Sequence, residues 1–121
     1  MAEVRYMVHD VTKSVAFYCD HLGFALVNQF GPAMAIVARG DLTLWLAGPL
    51  ASARRPMPDG EVPEPGGWNR LVIKVDDIAA THAAMAANGV RFRNTILSGP
   101  GGQQVLCIDP SGNLIELFQP A

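Results

Sequence analysis

A chain of 121 residues that is 50% hydrophobic and 17% charged can bury a substantial core, within one ordinary domain or two very small modules that share one. A net charge of -2 without a basic block argues against nucleic acid as the main partner. No apolar run approaches the roughly 20 residues that span a bilayer. The N-terminus lacks the basic-then-apolar pattern of a signal peptide, so a cytoplasmic protein without membrane contact is expected.

In chain order, Val4 to Val8 reads as a short strand with Val4, Tyr6 and Val8 on one face and Glu3, Arg5 and Met7 on the other. Asp10 or Thr12 can cap a helix over about 13–21, whose Val15, Tyr18, Cys19 and Leu22 make one apolar stripe. Gly23 is its natural left-handed stop. Strands are predicted over 24–30, 34–38 and 42–47, with Arg39-Gly40-Asp41 as a hairpin turn.

Residues 48–69 differ in kind. They hold five of the nine prolines, with Arg54, Arg55 and Trp68, and no periodicity, which fits a linker or a lid. Arg54-Arg55 reads as a solvated pair. A strand over 71–75 follows, then a helix from Ile78 to Asn88, capped by Asp77 and stopped by Gly89, with Ile78, His82, Met85 and Ala86 on one face. Strands are predicted over 91–96, 103–108 and 114–118. Between the last two lies Asp109-Pro110-Ser111-Gly112-Asn113, where Pro110 presets φ, Gly112 supplies positive φ, and Asp109 and Asn113 can bond nearby backbone.

The order is βαβββ, a proline-rich joint, and βαβββ again. Letters repeat with it: Val8-His9-Asp10-Val11 against Val75-Asp76-Asp77-Ile78, Leu22-Gly23-Phe24 against Asn88-Gly89-Val90, and 40–46 against 112–118. The fold class expected is therefore α+β. Module one covers about 1–47, the joint about 48–69 and module two about 70–121, together a single domain with a curved mixed sheet around a cup and helices outside.

The stretch Asp10-x-x-x-Ser14-x-x-Phe17-Tyr18-x-x-x-Leu22-Gly23-Phe24, together with Asp109-Pro110-Ser111-Gly112-Asn113-x-x-Glu116-Leu117, resembles the vicinal oxygen chelate superfamily. This is the glyoxalase/bleomycin-resistance/ring-cleaving dioxygenase group, and the resemblance covers nearly the whole chain. It implies a fold far more strongly than a function, because the superfamily hosts isomerases, lyases, dioxygenases, thiol transferases and plain drug-binding proteins. It also implies a homodimer, possible exchange of modules, and, in metal-dependent members, one divalent ion held by two residues from each module. Counting seven residues back from Asp10 and Asp77, and aligning the last strands, puts those four positions at Glu3, Leu44, Arg70 and Glu116.

That set is a poor metal site. Leu44 cannot ligate, Arg70 keeps its proton, and two carboxylates alone hold a divalent ion weakly. No cofactor is expected, with a metal on Glu3 and Glu116 as the minority alternative. Arg70 instead stands where an ion would sit, either as a salt bridge that fills a degenerate site or as the anchor for an anionic or carbonyl group with Glu116 orienting it. By strand parity Met7, Val72, Leu114 and Phe118 line the cup, with Lys74 at its rim, whereas Tyr6 and Trp45 pack beneath the helices. Trp68 either stacks on a flat ligand or ties the long loop down.

Ser98-Gly99-Pro100-Gly101-Gly102 precedes a strand rather than a helix, so it is a lip and not a phosphate loop. Cys19 and Cys107 read as buried free thiols rather than as a disulfide or zinc pair. The expected function is a metal-independent small-molecule binder with its ligand near Arg70 and Glu116, with Glu3, Met7, Leu44, Trp68, Val72 and Phe118 around it. A drug as cationic as bleomycin would want an acidic groove, which near-neutral charge does not promise. A lyase, isomerase or dioxygenase using a divalent ion held by Glu116, Glu3, waters and substrate is the second reading; its catalytic residues are not fixed by the sequence, with Glu116 and Arg70 the first candidates. A non-catalytic partner subunit with a collapsed cup is the third.

Overall fold

The computed structural model describes all residues, 1–121. The chain divides into two units, 1–66 and 67–121. The first holds β1 (Val4–Met7), α1 (Val11–Leu22), β2 (Ala25–Phe30), β3 (Met34–Arg39) and β4 (Leu42–Ala47), then a 3-10 turn at Ser52–Arg54. The second holds β5 (Arg70–Lys74), α2 (Ile78–Ala87), β6 (Arg91–Phe92), β7 (Leu97–Gly99), β8 (Gly102–Ile108) and β9 (Leu114–Pro120). The sheets run β1-β4-β3-β2 and β5-β9-β8-β6, with β7 on β8. In each the first strand lies parallel to the last, and the remaining pairings are antiparallel. The α+β class and the internal repeat read from the sequence are both present.

Each helix is set by its caps. The Asp10 carboxylate accepts from the Lys13 N–H at 2.9 Å, and Gly23 ends α1 at φ 72°. Asp77 does the same for α2, accepting from Ala80 N–H at 3.0 Å, and Gln119 of β9 accepts from Ile78 N–H at 2.8 Å. Two of the four N–H groups that a helix start leaves open are thus met in α2.

The buried stripe of α1 is rotated from the predicted one. Val11, Ser14, Phe17, Tyr18 and Leu22 are buried, while Val15 and Cys19 are only half-buried. The helix starts two residues earlier than predicted, and the Ser14 hydroxyl returns a hydrogen bond to the Asp10 carbonyl at 2.7 Å, so a polar residue can occupy the stripe. In α2 only Ile78 and Met85 are buried. His82 is half-buried with its ring 4.2 Å from Phe92, and Ala86 is exposed. The strand expected over 91–96 breaks after Phe92, because the Asn94 side chain accepts from the Leu106 N–H at 2.9 Å in place of a backbone carbonyl. The connection expected over 98–102 is instead a hairpin in which Gly99 pairs with Gly102.

The proline-rich stretch to Gly66 groups with the first unit, and Arg54 is the reason. Its Nε donates to the Pro63 carbonyl at 2.7 Å and its Nη1 to the Val8 carbonyl at 2.7 Å, with Ala47 further off at 3.4 Å. Arg54 is therefore a strut and not half of a solvated pair, whereas Arg55 is exposed. Arg54→Ala is expected to cost about 2 kcal/mol and lower Tm by about 7 °C, because three carbonyls lose a charged donor. Arg55→Ala should leave Tm in place. Thermal unfolding of the two variants side by side checks this.

Candidate functional site

Strand alternation separates two faces in each unit. In the second, Leu71, Ile73, Ile115 and Leu117 are buried with Ile78 and Met85 of α2. The other face is crossed by three rows. Arg70, Leu114, Ile108 and Arg91 form the first. Val72, Glu116 and Leu106 form the second, extended by Arg93, whose N–H donates to the Leu106 carbonyl at 2.9 Å. Lys74, Phe118, Gln104 and Leu97 form the third.

Glu116 is 9% exposed, although it sits on the face away from the helix. Arg70 covers it: Nε and Nη2 both bond Oε1, at 3.1 and 3.0 Å. Nη1 reaches the Trp68 carbonyl at 3.5 Å. The paired side chains are 30% and 11% exposed, so the ion pair is edged by water and not sealed. Both donors land on one oxygen. Oε2 takes no part in the pair, and the guanidinium has N–H groups to spare. The arrangement therefore offers a ligand a donor and an acceptor side by side.

Trp68 is 65% exposed in the approach to β5, and the Arg93 guanidinium carbon lies 4.9 Å from its ring centroid. Gly67, Trp68, Arg93, Gly112 and Leu114 line a hollow of about 240 Å³ beside the Arg70 row. Val72, 54% exposed, and half-buried Phe118 lie on the same face, as their parity requires. Arg93 was not singled out from the sequence. The signal was available: within a strand starting at Arg91, residues 91 and 93 share a face.

In the first unit the expected register is off by one. Leu44 is fully buried, paired with Val4 and Val37 among residues that face α1. It does not line the open face. Trp45 does, paired with Arg5, whose guanidinium carbon lies 4.9 Å from the indole centroid. Trp45 therefore lies on the face opposite to Tyr6 and not beneath the helix. Aligning Gly40 with Gly112 caused the slip. The first turn closes tightly between Arg39 and Leu42, while the second spans Ile108 to Leu114. Matching the parallel pairs instead, Val4 with Leu44 and Leu71 with Ile115, makes Trp45 the counterpart of Glu116. A one-residue shift in a strand turns every side chain to the other face. Met7 shares the Arg5–Trp45 side, and exposed Glu3 lines a hollow of about 170 Å³ with Val4, Arg5 and Trp45.

These residues do not fit a divalent ion. In the first unit the corresponding positions are Glu3 and Trp45, and an indole N–H only donates. Trp45 Nε1 is buried without an acceptor. In the second, Arg70 already occupies Glu116. Nowhere do three His, Cys, Asp or Glu side chains converge.

Cys107 lies on the helix-facing side of β8, opposite Ile115, and burial pushes its thiol up to about 12. Cys19 is also raised, chiefly by burial. Both thiols are free. In a Cys19→Ser variant at pH 8, Cys107 should react with a disulfide reagent only as fast as the protein unfolds, since the thiolate is the reactive form. Stoichiometric reaction within seconds in the folded protein would contradict this burial.

Residues 1–117 match the Glyoxalase/Bleomycin resistance protein/Dioxygenase superfamily. The chain is 31% identical over 119 residues to a bleomycin resistance protein of Geobacillus stearothermophilus, covering 93% of this chain and 90% of that one. It is 32% identical over 120 residues to an uncharacterized protein of Escherichia coli, covering 96% and 92%. Among solved structures it resembles TnmS3, an antibiotic binding protein from Streptomyces, with TM-score 0.70, 29% identity and coverage of 100% and 98%. It also resembles a lactoylglutathione lyase from Agrobacterium tumefaciens, with TM-score 0.74, 21% identity and coverage of 98% and 92%; at that identity the likeness is one of fold. The chain belongs to the glyoxalase/bleomycin resistance protein/dioxygenase superfamily.

Proposed function

We propose that this protein binds a small molecule without a metal, against Arg70 and Glu116 on the open face of its second unit. The observation that carries the reading is the Arg70–Glu116 pair, in which a permanent cation occupies a carboxylate that would otherwise be free to ligate. A relative described as a bleomycin resistance protein and a neighbour described as antibiotic binding support a binding role. The ligand is flat or partly apolar, with an anionic or carbonyl oxygen on Arg70 and its body on Trp68, Val72 and Phe118. Each sheet has one face that its own helix leaves uncovered, and on that ground we propose a homodimer.

Native mass spectrometry of protein purified under mild conditions, paired with elemental analysis, tests the reading. A co-purified organic molecule that survives chelator treatment is the expected result. A stoichiometric transition metal whose removal abolishes ligand binding would overturn it and favour the lyase, isomerase or dioxygenase chemistry of the superfamily.

A further inference from the structure

The second unit sorts its charges by face. From Gly67 to the C-terminus it has four basic residues, Arg70, Lys74, Arg91 and Arg93, and four acidic ones, Asp76, Asp77, Asp109 and Glu116. Its net charge is therefore zero without His82, which packs from α2 against Phe92. The pairing register puts Arg70, Lys74 and Arg91 on the face away from α2, and Arg93 reaches the same face through Trp68 and the hollow it shares with Leu114. Only Glu116 among the acids stands with them, and Arg70 neutralises it. Asp77 caps α2, Asp76 precedes that cap, and Asp109 is fully buried in the turn before β9.

A nearly neutral unit therefore presents one cationic face. Its middle is apolar: exposed Val72 and half-buried Phe118 and Ile108 lie between the charges, in the same rows as buried Leu114 and Leu106. Arg70 and Arg91 end the same row three strand spacings apart, roughly 14 Å. Arg93 is held on the Trp68 ring, so its charge is fixed beside a flat apolar surface and not waving in solvent.

Resting on the binding role proposed above, we infer that this face selects planar aromatic anions, with Arg93 on Trp68 as a second specificity element beside Arg70. The aromatic body lies on the accessible apolar surface of Trp68, Val72 and Phe118, and the anionic group goes to the guanidinium of Arg93 or Arg70. Flat cations are disfavoured, because Lys74, Arg91 and Arg93 carry positive charge around that surface.

Matched probes test this: 2-naphthalenesulfonate and 2-naphthylmethylammonium share a ring system and differ in the sign of the charge. Titration calorimetry at about 50 mM salt should show the sulfonate binding at least about tenfold more tightly. Arg93→Met keeps the stem over Trp68 and removes the charge. It should weaken the sulfonate about fivefold or more and leave the ammonium unchanged or slightly improved. Raising salt to about 300 mM should weaken only the sulfonate.

Equal binding of both probes, with both lost in Arg70→Ala, would overturn the selectivity while leaving the binding role standing. Tighter binding of the ammonium, an Arg93→Met variant indistinguishable from the parent, or no binding of either probe would each overturn the inference. Circular dichroism of the variant separates a lost site from a lost fold.

Discussion

Arg70→Ala is expected to weaken ligand binding by about tenfold to a hundredfold and to destabilise the protein by about 1–2 kcal/mol. The first figure is the loss of one charge-assisted hydrogen bond to the ligand. The second is smaller than the cost of breaking a fully buried ion pair, because the Arg70 side chain is 30% exposed and water can reach part of the gap. Glu116 then remains on the sheet without the cation that meets its Oε1. One control identifies the cause. Adding Glu116→Gln should restore most of the stability but none of the binding. Loss of the carboxylate's cation also opens it to metals, so titration with zinc or nickel should show weak binding in Arg70→Ala that the parent lacks. If Arg70→Ala binds ligands as the parent does and gains no metal affinity, the pair is only a filler.

Asp109→Ala should be the most damaging single change outside the apolar core, at about 3 kcal/mol, lowering Tm by about 10 °C. Asp109 is fully buried. Its Oδ1 accepts from Ser111 N–H at 2.8 Å and Asn113 N–H at 2.9 Å, and its Oδ2 accepts from the Asn113 side-chain amide at 3.0 Å. One carboxylate thus satisfies the interior of a turn that joins β8 to β9. Alanine would strand those donors without water, and each unsatisfied buried donor costs about 1–3 kcal/mol. Because that turn sets the register of β9, the effect reaches Glu116. Thermal unfolding and a ligand titration on one preparation check both consequences. A Tm loss below about 3 °C would show that the turn holds without its carboxylate.

The helix caps, the two glycine stops and the strand–turn–strand over 107–118 were legible because each is local. An Asp before an apolar-periodic run, or Asp-Pro-Ser-Gly-Asn between two apolar runs, fixes backbone geometry within a few residues. The same locality made Arg70 and Glu116 visible as residues out of keeping with their strands. It could not show that Arg54 is a strut. Its partners are the carbonyls of Val8, Ala47 and Pro63, and a carbonyl leaves no trace in the letters.

Strand parity is least legible in the first unit. In Leu42-Thr43-Leu44-Trp45-Leu46 the polar Thr43 shares a face with Trp45, but an alignment of Gly40 with Gly112 hides the unequal turns, 39–42 against 108–114, and so exchanges the two faces. The second unit was easier, because Arg70, Val72 and Lys74 alternate with buried Leu71 and Ile73. The family, the repeated strand–helix–strands order and the odd charged pair of Arg70 and Glu116 are readable from the letters, since these depend on spacing along the chain. That Trp45 replaces Leu44 on the open face, that Arg93 lies over Trp68, and that the four cations of the second unit share one surface is visible only in the folded chain. Those facts depend on hydrogen-bond register between strands distant in sequence, which is set by turn length and by which residues the helix covers.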